Sequence, residues 1–269
     1  MLLQQKNNPY RRYRGKQKWY RSWDQVSRMI LALLAVCLVA GMVIMVIRGR
    51  DSRTIPARYA VLSANEPSYP TCALEGIPDY AGSDVIVLND NQPNFTAYDL
   101  EHITGENYAE LDALGRCGSA VAMLDRSMMP TEPRGEIGHI RPTGWVQEKY
   151  EGVIDSDPPY LYNRSHLLAY ALTGENANAQ NLITGTRHMN TVTMLPYEEE
   201  VMQYLDDTRN HVLYRVTPYF KGKELLARGV EMEAYSVEDY GRGVCFHVFV
   251  YNVQPGIRIN YRTGESDRD

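Results

Sequence analysis

The stretch Tyr162–Asn190, YNRSHLLAYALTGENANAQNLITGTRHMN, contains the polar residues around which the rest of the chain is interpreted. It opens with Asn163–His166 (NRSH), in which an arginine stands two residues before a histidine. Two asparagines follow, Asn181 and Asn190, nine residues apart. Glu198 comes eight residues later, where apolar residues at helical spacing predict a helix. This combination of arginine, histidine, amides and carboxylate points to a reactive site.

These residue types suit hydrolysis of a phosphodiester. The ordinary pKa of histidine is about 6.5, so a neutral His166 accepts a proton from water near pH 7. The planar guanidinium of Arg164 holds phosphate oxygens. Asn190 offers an amide oxygen, and Mg²⁺ needs only one or two protein ligands because it keeps most of its waters. A base, a hard cation and an arginine on the phosphate make a hydrolysis site.

Asn163–His166 resembles the Asp-Arg-Gly-His motif of the DNA/RNA non-specific endonucleases of the ββα-metal class, and specifically their membrane-anchored DNA-entry nuclease branch. The runs NLITGTRHMN and VYNVQPGIRINYRTG are similar to that branch as well. The resemblance extends from about Ile77 to Gly264. The chain departs from the motif at Asn163 and Ser165, and the loss of an aspartate charge bears on the orientation and the pKa of the neighbouring histidine.

The resemblance implies a role for each polar residue of the set. His166 would be the general base and Arg164 a catalytic and substrate-binding contact to phosphate. Asn190 would be the single side-chain ligand of Mg²⁺, with Mn²⁺ as the alternative ion. Asn181 would orient the site, and Glu198 would anchor the waters of the metal.

Each residue also has a structural alternative. A single histidine in a loop, such as His166 or His139, is usually structural. Asparagines most often serve turns and caps, which we expect of Asn176 and Asn178. Glu198 suits the first turn of a helix that begins near a proline. The spacing of the histidine, asparagines and glutamate favours the functional interpretation, except at His139.

Charge divides the chain into two parts. Residues 1–50 hold ten Lys and Arg and one acid, whereas residues 51–269 hold 18 basic and 32 acidic residues, a net charge of −14. An acidic domain attracts nucleic acid poorly, because nonspecific affinity comes from neutralised phosphates. The hydrolase interpretation therefore requires a basic cleft and weak, salt-sensitive binding. Four arginines lie near the site in sequence: Arg164, Arg187, Arg209 and Arg215. Of these, Arg187 is the second substrate-binding candidate beside Arg164.

The amino-terminal residues predict a single transmembrane helix. Residues 29–47, MILALLAVCLVAGMVIMVI, carry no charge, and 19 residues span a hydrocarbon core of about 30 Å. The basic residues before this run place 1–28 in the cytoplasm as a tail and the remainder outside the plasma membrane. A cleaved signal peptide is the alternative, but no small-x-small site follows the run. Residues 48–73 are expected to form an extracellular linker and 74–269 the nuclease domain.

The pattern of that domain predicts an α+β fold, with a mostly antiparallel sheet and a ββα-metal motif preceded by the transmembrane helix. A helix is expected at 199–207 and a shorter one at 108–114. In the last strand, His247 shares one face with apolar residues, so we expect a strand residue and not a metal ligand. The predicted strands are 84–89, 117–124, 211–220, 225–234 and 244–251.

The cysteines allow one disulfide outside the membrane. Cys37 lies within 29–47, which leaves Cys72, Cys117 and Cys245. Their spacing contains no CxxC pair, so a structural zinc site is not expected. The sequence leaves the pairing open. We favour Cys117 with Cys245, since both fall on predicted strands.

The interpretation favoured by the sequence is a metal-dependent, sequence-non-specific endonuclease that hydrolyses DNA outside the cell, with RNA as an alternative substrate. No element that reads base edges is recognisable. One alternative is a catalytically impaired extracellular module that binds nucleic acid or a wall polymer. Another is a phosphodiesterase that acts on a wall polymer. The sequence does not distinguish DNA uptake from DNA degradation.

Overall fold

A six-stranded antiparallel sheet forms the centre of the computed structural model, which describes residues 66–71 and 77–269. Apolar residues alternate along its longest strands, so that each strand contributes side chains to both faces. In their order across the sheet, the strands are β1 (Val85–Val87), β8 (Cys245–Tyr251), β7 (Gly229–Ser236), β6 (Val212–Tyr219), β3 (Ala120–Leu124) and β2 (Glu106–Tyr108). The predicted α+β class with an antiparallel sheet is confirmed.

The remaining elements are short apart from one helix. The helices are α1 (Ala97–His102), α2 (Tyr170–Thr173) and α3 (Leu195–Asp207). Two antiparallel ribbons lie outside the central sheet: β4 (Tyr162–His166) with β5 (Leu182–Thr186), and β9 (Ile257–Ile259) with β10 (Ser266–Arg268). A π-helical turn, Met189–Thr193, directly precedes α3. The order β4, β5, α3 is the ββα arrangement expected for the stretch around His166.

One face of the central sheet packs against this ββα segment. Val201 and Leu205 of α3 are fully buried, as their helical spacing predicts, and Pro196 lies in the first turn of the helix. They share a core with apolar residues of β3, β6, β7 and β8 and with the segment that follows β4. The site-bearing elements are therefore held on the sheet by one continuous apolar core.

The opposite face of the sheet contains a row of buried charges. The Glu233 carboxylate pairs with the guanidinium of Arg215, with 2.7 Å between Oε2 and Nε. The carboxylate of Glu231 lies 2.7 Å from Nε2 of His247, and the other ring nitrogen lies 2.7 Å from the carbonyl oxygen of Gln92. Both ring nitrogens of His247 face acceptors, so the ring carries two protons. Burial alone would lower the pKa of His247, but the hydrogen bond to Glu231 and the charges of Glu233 and Glu231 raise it.

This row shows how His247 is used. The ligand atoms of Glu231, Glu233 and His247 lie within 4.8 Å of one another, close enough to hold an ion. However, the two carboxylates are already balanced by the imidazolium and by Arg215. Glu231 also accepts a hydrogen bond from the backbone of Thr71 at 2.8 Å. The row therefore fastens the segment before β1 to the sheet, and His247 lies on strand β8 as predicted.

One predicted element is wrong, and another begins later than expected. Residues 108–114 are not helical: Tyr108 ends β2, and a turn follows. The short helix is α1 instead, because Thr96 and Asp99 form a reciprocal capping box at its start. The strand predicted at 225–234 begins only at Gly229, as the start of β7. The strands predicted at 84–89, 117–124, 211–220 and 244–251 are confirmed as β1, β3, β6 and β8.

The disulfide between Cys117 and Cys245 is also wrong. Cys117 is a free, buried thiol that donates to the carbonyl oxygens of Ala179 and Leu182. Cys245 begins β8, and strands β6 and β7 lie between it and β3. That separation is roughly 14 Å at about 4.8 Å per strand, whereas a disulfide needs Cα atoms within about 7 Å. That both cysteines fall on predicted strands did not indicate that they are close, because the order of strands across the sheet differs from their order in the sequence.

The predicted tail 1–28, the predicted span 29–47 and most of the predicted linker 48–73 lie outside the described residues. Within residues 66–71 and 77–269, no helix combines the length and the apolar character that crossing a membrane requires.

We expect the buried ion pairs to be essential to stability. Replacing Glu233 with Ala leaves Arg215 charged and buried without its partner, which should lower the free energy of unfolding by about 3–5 kcal/mol. Urea denaturation of the two proteins measures this difference. The matched control is Glu238→Ala, which removes a half-exposed carboxylate in contact with His211 and should cost less than about 1 kcal/mol. Equal losses in the two variants would contradict the assignment.

Candidate active site

The β4–β5 ribbon positions His166 through Asn181, the residue before β5. The buried amide of Asn181 accepts a hydrogen bond from the backbone N–H of Leu168 at 2.8 Å and donates one to the carbonyl of the same residue at 2.9 Å. Its own backbone carbonyl accepts from Leu167 at 2.8 Å. Three hydrogen bonds thus fix the chain directly after His166. Asn181 is fully buried beside the histidine, and the contacts of its side chain are to the backbone.

The hydrogen bonds of His166 identify its tautomer. Nε2 lies 3.0 Å from the carbonyl oxygen of Asn176, which can only accept, so Nε2 carries the proton. Nδ1 therefore holds the lone pair, and it accepts a hydrogen bond from Nη2 of Arg134 at 3.0 Å. Burial lowers the pKa of His166 to about 4; the carbonyl of Asn176 opposes this shift and the charge of Arg134 adds to it. The ring is neutral at pH 7, as a general base must be.

Arg164 is held rigidly beside this histidine. Its Nε donates to the carbonyl oxygen of Ile140, and its Nη2 donates to that of Gly138 at 2.8 Å. The guanidinium carbon lies 4.2 Å from the centre of the Trp145 ring. Arg164 thus fixes the loop before β4, and within the described residues its Nη1 has no hydrogen-bond partner. That nitrogen is available to a phosphate oxygen.

A cleft of about 880 Å³ is lined in part by Arg164 and by Arg134, the partner of His166. Its charged lining residues are Arg134, Arg164, Arg187 and Asp157, a net charge of +2 within a strongly acidic domain. The basic cleft that the sequence analysis required is therefore present. Two of the arginines expected near it are not part of it. Arg209 does not line it, and Arg215 belongs to the buried charges on the far face of the sheet.

Asn190 also borders the cleft, from the π-helical turn before α3. Its amide makes no hydrogen bond within the described residues, so its oxygen is available to a cation. Glu198 lies half-buried in the first turn of α3, and it is not among the cleft-lining residues. Burial raises the pKa of Glu198 to about 7, and the charge of Glu199 adds to this shift. Within the described residues Glu198 has no cationic partner, and a divalent ion nearby would favour its carboxylate form.

These donors fit a hard divalent cation. Asn190 and Glu198 offer only oxygen atoms, and Asn163 adds a further amide to the cleft. Mg²⁺ prefers such ligands and needs few of them. The structure brings His166, Arg164 and Asn181 together. Arg164, Arg187 and Asn190 line the cleft, whereas His166 and Asn181 lie behind its lining and reach it through the contact of His166 with Arg134. Glu198 occupies the following helix.

The two departures from the Asp-Arg-Gly-His motif differ in kind. Asn163 lines the cleft, so the amide replaces a carboxylate where substrate or metal would bind. Ser165 is fully buried, and its Oγ has no hydrogen-bond partner. It packs on Gly185 of β5, where an added Cβ would come within 2.1 Å of that oxygen. Gly185 therefore provides the space that the extra side chain needs.

Sequence reasoning missed Arg134 and the carbonyl of Asn176. Arg134 lies 32 residues before His166 in a loop rich in Pro and Gly, and no periodicity connects the two residues. Asn176 was expected to serve a turn, but it contributes a backbone oxygen, which every residue type possesses. Only the spatial arrangement identifies these two partners. Asn178 caps the turn Ala179–Asn181, as predicted.

A family model described as DNA/RNA non-specific endonuclease matches residues 96–238. A deoxyribonuclease from Streptococcus dysgalactiae subsp. equisimilis is 36% identical over 113 residues, which cover 39% of this chain and 32% of the relative. The chain thus matches about a third of the length of that relative.

Solved structures show the same fold. NucA from Streptococcus agalactiae with a magnesium ion bound superposes with a TM-score of 0.62 at 26% identity, covering 73% of this chain and 93% of NucA. The same protein with no metal bound superposes with a TM-score of 0.60 at 27% identity, covering 73% of this chain and 92% of NucA. The Sda1 nuclease with a bound zinc ion superposes with a TM-score of 0.52 at 25% identity, covering 62% of this chain and 83% of Sda1.

The role of Asn181 can be tested with a near-isosteric change. In Asn181→Asp, a carboxylate oxygen replaces the NH₂ group that faces the carbonyl of Leu168. A buried charge and two facing acceptors should lower the free energy of unfolding by about 3 kcal/mol or more. The control is Asn178→Asp, because either side chain caps the N–H of Gln180 and stability should hardly change. Comparable urea midpoints for the two variants would refute the role.

The protonation state of His166 is directly measurable. Because burial lowers its pKa to about 4, its ring should remain neutral and give constant chemical shifts between pH 5.5 and 8. An unperturbed histidine titrates near 6.5. NMR of the chain labelled at histidine measures this, and the His166→Ala variant assigns the signal. A titration midpoint above 6 would contradict the burial argument.

Proposed function

Because the chain belongs to the DNA/RNA non-specific endonuclease family, we propose that it hydrolyses DNA phosphodiester bonds in a reaction that depends on a divalent cation. The observation that carries this proposal is His166. It is buried, neutral and protonated on Nε2, and its Nδ1 lone pair is directed at an arginine of the basic cleft. A general base next to a phosphate-binding cation is the arrangement that water attack on a phosphodiester needs.

In the proposed reaction, the oxygen of a water attacks phosphorus while His166 Nδ1 accepts a proton from that water. The bond from phosphorus to the leaving oxygen breaks, and that oxygen takes a proton from solvent. Arg134 has to leave Nδ1 before this can happen. A substrate phosphate offers its guanidinium a charged acceptor in place of a neutral nitrogen, so substrate binding releases the base.

Arg164 and Arg187 complete the phosphate contacts. Arg164 is fixed by two backbone carbonyls and by Trp145, so little conformational entropy is lost when its remaining nitrogen binds phosphate. The side chain of Arg187 lines the cleft without a hydrogen-bond partner in the described part of the chain. Guanidinium contacts to phosphate carry no sequence information, which supports the expectation of low sequence specificity and leaves RNA as an alternative substrate.

Mg²⁺ is the proposed ion, with Mn²⁺ as the alternative. Asn190 would hold it by the amide oxygen, and Glu198 would anchor its waters. Asn190 and Glu198 supply oxygen donors only, and the similar NucA structure from Streptococcus agalactiae contains magnesium. When bound, the cation would stabilise the charge that develops on phosphate and on the leaving oxygen. Asn163 would add a neutral oxygen where an aspartate stands in the motif, which should weaken cation affinity.

The place of the reaction is part of the proposal and rests on sequence alone. The uncharged run 29–47 would anchor the chain in the plasma membrane, the basic tail 1–28 would face the cytoplasm, and the domain would act on DNA outside the cell. This is the arrangement of a DNA-entry nuclease.

Two observations favour a second candidate, a module that binds nucleic acid or a wall polymer without cleaving it. Asn163 lacks the aspartate charge, and Arg134 occupies the lone pair of the base. In this alternative the basic cleft still binds phosphate, but His166 is never released.

Plasmid cleavage separates the two candidates. The full-length chain, purified in mild detergent because of residues 29–47, should nick plasmid DNA with Mg²⁺ and lose that activity in EDTA. His166→Ala should lower the rate by about 10²–10⁴-fold, because the base is removed. His139→Ala, a histidine exposed in the loop before β4, should retain wild-type turnover. Full activity in His166→Ala would refute the assignment, and DNA binding without cleavage under any divalent ion would establish the second candidate.

A further inference from the structure

Beside its arginines, the cleft has an aromatic wall. Trp145, Tyr160 and Tyr162 all line it. Tyr162 is buried, and its hydroxyl donates to the carbonyl of Gly264, so it supports the wall from behind. The Trp145 ring is covered by the guanidinium of Arg164. Tyr160, in contrast, is 39% exposed. It therefore offers the accessible aromatic surface of this cleft.

The backbone around Tyr160 is held firmly. It forms an antiparallel bridge with Lys149, and the flanking hydrogen bonds from Tyr150 to Pro159 and from Leu161 to Glu148 are both 3.0 Å long. The neighbours Pro159 and Leu161 are buried, whereas Tyr160 points outward. The ring is thus presented by a rigid scaffold, and little entropy is lost when a planar ligand stacks on it.

The surroundings of the ring indicate which ligand fits. The Lys149 ammonium lies 5.0 Å from the centre of the Tyr160 ring, and Lys149 does not line the cleft. The ammonium thus covers one face of a ring whose residue lines the cleft. A single exposed tyrosine is ordinary on a protein surface. This one shares a cleft of net positive charge with Arg134, Arg164 and Arg187, whose guanidinium groups suit a chain of phosphates.

We propose that Tyr160 is a stacking platform for an unpaired nucleobase next to the phosphate-binding arginines, and that it gives the cleft a preference for single-stranded nucleic acid. The inference rests on the proposed function. A base inside a duplex is already stacked and paired, and extruding it costs a few kcal/mol. An unpaired base stacks on an aromatic side chain whatever its identity, so the preference is for strandedness and not for sequence.

Binding measured in EDTA tests the proposal without requiring cleavage. The probes are two fluorescent single-stranded 12-mers with equal phosphate numbers, one of deoxythymidylate and one of abasic residues. The wild-type chain should bind the thymidylate oligomer about tenfold more tightly, since stacking of one base is worth about that factor. Tyr160→Ala should abolish this preference and leave abasic binding unchanged. Tyr160→Phe, which keeps the ring, should retain it.

Tyr69→Ala is the matched control, because this tyrosine is 64% exposed and does not line the cleft. It should bind both oligomers as the wild type does. Equal weakening of both oligomers in Tyr160→Ala, no weakening, or no preference in the wild type would each overturn the proposal.

Cleavage separates failure of this inference from failure of the proposed function. If the chain prefers the thymidylate oligomer through Tyr160 but cleaves nothing with any divalent ion, only the proposed function is overturned. If the wild-type chain cleaves DNA but Tyr160→Ala keeps the preference for the thymidylate oligomer, only the stacking platform is overturned.

Discussion

The hydrogen bonds between the buried amide of Asn181 and the backbone of Leu168 are the constraint on which the site depends. A buried backbone N–H or carbonyl without a partner costs about 1–3 kcal/mol, so the chain after β4 cannot shift without losing stability. That constraint places His166 at the end of β4 with one ring nitrogen on the carbonyl of Asn176. The tautomer, and with it the identity of the basic nitrogen, follows from backbone geometry.

Burial gives the histidine its second property. An imidazolium taken out of water is destabilised, and the nearby guanidinium of Arg134 destabilises it further, so the pKa of His166 falls to about 4. A base with so low a pKa is always ready to accept a proton at pH 7, although it is a weaker base than free imidazole. In the proposed reaction, this arrangement would favour availability of the base over its strength, and the attacking water would have to be made more acidic by its surroundings.

The distribution of charge explains how an acidic domain holds a basic cleft. The arginines that are near the site in sequence lie on different sides of the sheet. Arg164 and Arg187 line the cleft, whereas the side chain of Arg215 lies on the far face of the sheet and pairs with Glu233. Strand alternation decides this, since Arg215 stands between Tyr214 and Val216, whose side chains fill the core on the near face. Three arginines and one aspartate line the cleft, so the local charge there opposes the net charge of the whole domain.

The sequence predicted local features well and spatial ones poorly. Alternating apolar residues identified β6 and β8, and helical spacing identified α3, because these patterns are set by neighbours a few residues apart. The helix predicted at 108–114 failed because the capping box at Thr96 was not recognised. The disulfide failed because strand order was unknown. His166, Asn181 and Asn190 were found through motif spacing, whereas Arg134 reaches the histidine from a loop with no pattern.

The departures from the Asp-Arg-Gly-His motif have different physical consequences. Ser165 is a packing change, absorbed by Gly185 across the ribbon, and it leaves the backbone that carries His166 in place. Its buried hydroxyl has no partner, so the change costs about 1–3 kcal/mol of stability and does not alter the chemistry. Asn163 faces the cleft and replaces a charge with a dipole where cation and phosphate would meet. An amide still offers oxygen to a hard cation, but without a full charge its attraction is weaker, and it repels phosphate less. The change at Asn163 therefore alters how the cleft attracts a cation and repels phosphate, whereas the change at Ser165 does not.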